Sequence, residues 1–292
     1  MVMDNIKKIN PDKIVLIDYP GFNLKIANLI KKHCSIPIIY YVSPQLWAWK
    51  EGRITIIKKH VDKMIVIFPF EVAWYAKHNV QVAFFGHPLI EHHNIFLKTY
   101  KKKHFNADHV VALLPGSRAQ ELIYHLPLYK KIIQELSEKN KRIHYIVRLL
   151  DCEQINVPRA LGLQDNYSIE KRSTFNAFHD CDFAIVASGT ATLEGAIASA
   201  PLAVVYKTSF FSWCLAKIFL NIPFVSIVNI LNERKLVAEF LQQEAKPKII
   251  ADHVFSFLKT HSKNKIDYSK VTKQLLKVDI YKNSASEIIN SK

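Results

Sequence analysis

The feature that most limits what this chain can fold into is a repeated exchange of two periodicities. Short apolar runs rich in β-branched residues alternate with stretches patterned for helices. Ile14-Val-Leu-Ile17 is the first run, Ile36 to Val42 the second, Met64 to Phe68 the third and Val82 to Phe85 the fourth. Unbroken runs of this kind suit strands covered on both faces, as in parallel sheets. After the first run, Phe22, Ile26, Leu29 and Ile30 fall on one stripe of a helix. Glu71 to His78 reads as a short helix. Alternation of strand, helix and strand implies right-handed βαβ units and an open parallel sheet.

Residues 91–107 are rich in His, Lys and Asn without a periodic apolar face, which reads as an interdomain linker. The pattern then resumes. Val110 to Leu114, His144 to Leu150, Phe183 to Ala187 and Leu202 to Tyr206 read as strands. Gln120 to Leu136 and Ala191 to Ala198 read as helices, and the Lys-rich tail after Lys263 as a surface helix. At 292 residues the chain is too long for one comfortable core. The expected architecture is α/β, with two doubly wound Rossmann-like parallel-sheet domains facing a cleft. The expected domains are residues 1–100 and 101–292, the second including the C-terminal helices.

Charge narrows the partners without choosing one. Lys+Arg 40 against Asp+Glu 25 gives +15, a field that favours nucleic acid, anionic headgroups or phosphorylated small molecules. A Lys-rich proteome would produce the same excess. Nucleic acid is not expected, because the lysines are spread along the chain and no recognition motif stands out. Cys34, Cys152, Cys181 and Cys214 sit far apart without a C-x-x-C pair or a secretory signal, so reduced cytosolic thiols are expected. The apolar stretch from Thr208 to Asn232 is broken by Lys217 and Pro223 and does not read as a membrane span. Within it, Phe210 to Leu220 is compatible with either an interfacial segment or core.

Four segments carry candidate chemistry. Leu114-Pro-Gly-Ser-Arg118 follows a strand and precedes a helix, where ligands bind in open α/β sheets. Gly116 allows close approach of the backbone to an anion; Ser117 and Arg118 offer a hydroxyl and a guanidinium fork. A plain turn with a solvated arginine fits equally. Ala187-Ser-Gly-Thr-Ala-Thr-Leu-Glu194 repeats the pattern. A phosphate on the N–H groups at Ser188, Gly189 and Thr190, with the Glu194 carboxylate one turn on, would form a nucleotide site. Ordinary helix capping explains the same residues. Asp18, at a strand end, could take a proton from an attacking hydroxyl or cap the helix that follows. In Tyr41-Val-Ser-Pro-Gln-Leu-Trp-Ala-Trp49, Trp47 and Trp49 either line a pocket for a sugar or acyl chain or form an aromatic cluster under a loop. His87, Glu91 and His92 lack metal-ligand spacing, and no metal is expected.

Taken together these segments resemble the lipid-A-disaccharide synthase family. The likeness rests on Ile17-Asp-Tyr-Pro-Gly-Phe-Asn23, Tyr41 to Trp49, Phe68-Pro-Phe-Glu71, Gly86-His-Pro88, Leu113 to Arg118, Ala187 to Glu194 and Val225-Ser-Ile-Val-Asn-Ile-Leu231. Their order and spacing cover nearly the whole chain. The resemblance implies an inverting, metal-independent glycosyltransferase of the glycosyltransferase-B type from a Gram-negative lipopolysaccharide pathway, needing no cofactor. It implies transfer of 2,3-diacylglucosamine from its UDP form to 2,3-diacylglucosamine 1-phosphate. It casts Asp18 as the base, and Gly116, Ser117, Arg118, Ser188, Gly189 and Thr190 as holders of the UDP phosphates. Glu194 would serve the ribose or nucleotide sugar, Asn229 would lie on the nucleotide side, and Asn23, Trp47 and Trp49 on the acceptor side. It also implies a cytoplasmic protein bound peripherally to the inner membrane; a homodimer stays open.

Departures from the family accompany the likeness. Val228 replaces a proline, and Val237-Ala-Glu-Phe240 replaces a Val-Pro-Glu type sequence. Family members begin earlier, with a Gly/Ser-rich strand–turn–helix. The expectation is therefore an incomplete first domain with an uncovered sheet edge, and an activity that depends on what is missing. An inactive UDP- or membrane-binding remnant and another UDP-N-acetylglucosamine-using transferase or epimerase are the alternatives.

Overall fold

The computed structural model describes residues 2–149, 156–209, 223–260 and 266–291. The chain divides into two compact units. Among the described residues, one comprises 2–92 and 274–291, and the other those between 93 and 273. The stretch Phe210 to Leu220, with Cys152 and Cys214, lies outside the described residues.

The first unit runs α1 (Val2–Ile9), β1 (Ile14–Ile17), α2 (Pro20–His33), β2 (Ile38–Tyr41), a 3₁₀ turn (Glu51–Arg53), α3 (Ile54–His60), β3 (Lys63–Val66), α4 (Pro69–Lys77), β4 (Val82–Phe84) and the start of α5 (Pro88–Leu97). The four strands form a parallel sheet in sequence order. Alternation along the strands sends Leu16, Ile38, Tyr40, Met64 and Val66 to one face, where they pack with Leu24, Ala27 and Ile30 of α2 and Ile54 and Ile57 of α3. Each such side chain removed from water stabilises the fold by about 1.5–3 kcal/mol.

β1 departs from the expectation of burial on both faces. Among the described residues it pairs only with β2, and Val15 and Ile17 are 39% and 60% exposed. Its apolar run satisfies one face only.

The second unit continues with β5 (His109–Leu114), α6 (Ala119–Lys139), β6 (Ile143–Arg148), α7 (Val157–Leu161), β7 (Tyr167–Glu170), α8 (Thr174–Asp180), β8 (Phe183–Ala187), α9 (Thr190–Ile197), β9 (Leu202–Tyr206), α10 (Ile227–Asn232), β10 (Ala238–Leu241) and α11 (Pro247–Lys259). Its parallel sheet has the order β10-β9-β8-β5-β6-β7. Strand order therefore reverses between β5 and β8, the place where open α/β sheets leave a crevice beyond their carboxyl ends. Both central strands are buried along their whole length.

Two expectations need correction. Residues 91–107 are not all linker, because α5 extends to Leu97. Its hidden stripe is aromatic: His93 and Phe96 stack with Phe175 and His179, and the two imidazoles meet Nε2 to Nε2 at 2.8 Å. The tail is also not one helix on the second domain. It forms α12 (Ser269–Leu275) and α13 (Ile280–Asn290). From residue 274 on it belongs to the first unit. The His87 N–H donates to Leu275 O at 3.0 Å, the Tyr281 N–H to Glu91 Oε2 at 2.7 Å, and Lys63 pairs with Glu287.

Candidate functional site

The turns after β5 and β8 flank a cavity of about 280 Å³ in the second unit. Gly116, Ser117, Arg118, Ser188, Gly189, Thr190 and Glu194, all singled out from sequence, line it. Gly189 precedes α9 at φ 155° and ψ −163°, a region essentially reserved for glycine. Among the described residues no atom beyond its chain neighbours lies within 4 Å of where its Cβ would stand, so the turn leaves open space beside the helix start. Gly116 has φ +112°, and a Cβ there would meet Glu121 Oε2 at 2.5 Å. The turn already cradles an anion, the Glu121 carboxylate. Glu121 Oε2 accepts the N–H groups of Ser117 at 3.0 Å and Arg118 at 3.2 Å, and Oε1 pairs with the Arg118 guanidinium at 3.1 Å. The Arg118 side chain is nevertheless 82% exposed.

Besides Glu121, three residues that the sequence reading passed over complete this site. Arg148 ends β6 and lines the cavity with Thr174, to whose Oγ1 its Nε donates at 3.3 Å; it also donates to Leu149 O and Glu170 O. Burial pushes the Glu194 carboxyl up to about 6, opposed by the Arg148 guanidinium. His125 is fully buried. Its Nδ1–H donates to Pro115 O at 2.7 Å while Nε2 accepts the Lys207 N–H at 2.9 Å, tying the first turn to the end of β9. Burial holds this imidazole below its ordinary pKa.

Asn229 is fully buried with every polar position engaged. Its amide donates to Val237 O at 3.0 Å and Glu239 Oε1 at 2.8 Å, and its oxygen accepts from the N–H groups of Leu236 and Val237. Glu239 in turn accepts the N–H groups of Val225 and Ser226, and Ser188 Oγ donates to Val225 O at 3.3 Å. Asn229 thus positions the loop that carries a partner of Ser188, with no hydrogen-bonding capacity left for a nucleotide.

In the first unit the singled-out residues lie beyond the strands' carboxyl ends. Asp18 is exposed. It and Tyr19 both occupy the left-handed region, at φ 45° and 41°. This backbone is held by Asn23, whose Nδ2 donates to Ile17 O at 3.0 Å and Asp18 O at 2.7 Å, and by the Tyr40 hydroxyl, which donates to Asp18 O at 2.5 Å. Asn23 is buried and serves this turn. Trp47 and Trp49 diverge. Trp47 Nε1 donates inward to Glu71 Oε1 at 3.3 Å, whereas Trp49 is exposed under the Lys50 ammonium, 4.4 Å from the ring centroid.

Glu71 was quoted in a motif without a role. It is 1% exposed and accepts from Ser43 Oγ at 2.5 Å, Trp47 Nε1, and the N–H groups of Ile67 and Phe68. Burial nonetheless raises its carboxyl to about 7. His87 is buried against the Phe68 ring, and burial lowers its imidazole to about 4. Its Nδ1 accepts the Leu89 N–H at 3.2 Å, so Nε2 carries the proton.

Two parallel α/β domains, the second with an open crevice at its switch point, define the glycosyltransferase-B class of fold. Solved structures agree. The chain aligns with S. aureus MnaA in a co-structure with UDP at TM-score 0.64 and 10% identity, over 98% of this chain and 77% of that one. It aligns with the UDP-GlcNAc 2-epimerase of Neisseria meningitidis bound to UDP-GlcNAc at 0.61 and 12%, over 99% and 77%. At such identities the likeness concerns fold alone. The family is set by sequence: the lipid-A-disaccharide synthetase model matches residues 1–291, and the chain belongs to that family. The lipid-A-disaccharide synthase of Coxiella burnetii (strain Dugway 5J108-111) is 38% identical over 260 residues, 88% of this chain and 69% of that protein. Lipid-A-disaccharide synthase 1 of Legionella pneumophila (strain Paris) is 34% identical over 266 residues, 88% and 68%.

Proposed function

We propose that this protein transfers 2,3-diacylglucosamine from UDP-2,3-diacylglucosamine to the 6-hydroxyl of 2,3-diacylglucosamine 1-phosphate. The products are UDP and the β-1,6-linked disaccharide 1-phosphate. The observation that carries the reading is the cavity at the β5–β8 switch point. It has a glycine-only turn at a helix start, two arginines and two carboxylates, of which Glu121 already pairs with Arg118, in a chain of this family.

In the proposed reaction the acceptor oxygen forms a bond to the donor's anomeric carbon as the bond to UDP breaks. Attack from the opposite face inverts that carbon. Asp18 takes the hydroxyl proton, and its fixed backbone presents the carboxylate at the end of β1. The diphosphate gains negative charge as it leaves. The helix start at Gly189 and the guanidiniums of Arg118 and Arg148 supply positive charge in place before the reaction. Glu194 accepts hydrogen bonds from the ribose.

Both substrates are acylated, so the protein works at the cytoplasmic face of the inner membrane. Its +15 charge supports this, since each Lys or Arg near an anionic surface contributes about 1 kcal/mol. Among the described residues no helix is long and apolar enough to cross a membrane.

The test supplies purified protein with both substrates. Asp18→Asn is expected to lower turnover by about 10²–10⁴-fold while UDP affinity stays unchanged. Retained turnover would remove Asp18 from this role.

A further inference from the structure

The first unit has a second cavity, of about 190 Å³, between α2 and α3. Leu24 and Ile56 give it apolar walls, and Lys25, Asn28, Arg53 and His60 its polar lining; no carboxylate is among the described lining residues. Neither Lys25 nor Arg53 has a side-chain hydrogen bond or ion pair among the described residues. His60 is 9% exposed, and its Nδ1 is buried with no hydrogen-bond partner among the described residues. The first turn of α2, a 14-residue helix, also lines the cavity and adds the positive end of its dipole.

Cations without counter-charges, an orphaned imidazole nitrogen and a helix start together lack one thing, a compact anion. The cavity also neighbours the proposed base. The Arg53 guanidinium and the Asp18 carboxylate both lie within electrostatic reach of the Tyr40 hydroxyl. We infer that this cavity binds the phosphate monoester of the acceptor sugar, with Arg53 and Lys25 neutralising it and His60 completing its hydrogen bonds. The identification of the anion rests on the reaction proposed above. The site would orient the acceptor by the end remote from its reacting hydroxyl, a positioning role.

Glucosamine 1-phosphate, a soluble probe, tests this on the full chain by calorimetry and by the His60 imidazole resonances. Lys25→Gln and Arg53→Gln should each weaken its binding about tenfold and the double variant about a hundredfold. UDP affinity and thermal stability should not change. The His60 resonances should move on titration with the probe and stay still with glucosamine. Equal binding of glucosamine, an unchanged double variant, or a loss confined to phosphatidylglycerol vesicles would each overturn the assignment. Failure of the reaction is separable from failure of the site. Binding through Lys25 and Arg53 without sugar transfer discards the reaction and keeps the site. Sugar transfer with an unchanged acceptor KM in the double variant discards the site and keeps the reaction.

Discussion

The carboxyl edges of the two sheets carry equally dense motifs and use them differently. At the edge of the second sheet the motif residues border open space: among the described residues nothing beyond its chain neighbours lies within 4 Å of a Gly189 Cβ, and Arg118 is mostly in solvent. At the edge of the first sheet they turn inward. Ser43 and Trp47 donate to the buried Glu71, and Asn23 donates to the backbone of Asp18. A cluster of unusual residues at strand ends therefore signals demanding geometry, and only the pattern of engaged polar atoms tells whether a ligand or the scaffold makes the demand.

Glu71→Ala is the strongest way to break this contrast. It strands four donors around a cavity and should cost about 3–5 kcal/mol in denaturant unfolding. A loss below about 1 kcal/mol would mean the cluster is not structural. The sign of the pH dependence follows from the raised carboxyl. The folded state holds a proton that the unfolded state releases above 4.5, so this group's stabilisation is full below that pH and lost as pH rises through about 7. Glu71→Gln should remove that slope.

Gly189→Ala is the counterpart at the open edge. Its backbone region should cost an alanine about 1–3 kcal/mol, with weaker UDP binding. Unaltered UDP affinity would show that the turn is not a ligand cradle. Arg118→Ala should weaken UDP about tenfold without changing the melting temperature, because its exposed pair with Glu121 contributes about 0–1 kcal/mol; a stability loss with unchanged affinity would reverse its assignment. The smallest effect concerns Glu194. Uridine, which does not titrate in this range, should bind more tightly as pH rises through about 6 and the carboxylate ionises. A flat profile in the wild type, identical to that of Glu194→Gln, would detach Glu194 from the ribose.

Much of the fold was legible because buried parallel strands must be apolar along their length. β5 and β8 announced themselves in this way. β7 and β10 did not: they close the two edges of the second sheet, are largely half-exposed, and show no continuous apolar run. The part of α5 beyond His92 was hidden because histidine does the work of an apolar ring there. The return of the tail to the first unit has no local signature, since it depends on surfaces 190 residues away in sequence. At the site, glycines and a helix start gave both turns. Arg148 escaped because a lone arginine at a strand end belongs to no motif. Asn229 was read toward the nucleotide because its motif was legible and its partners were not.

The central claim is that UDP sits at the β5–β8 switch point of the second unit. A crystal structure with UDP tests it most directly. The account predicts the diphosphate beside the turns at Gly116 and Gly189, with the ribose against Glu194. UDP bound elsewhere, with that cavity holding only solvent, would contradict it.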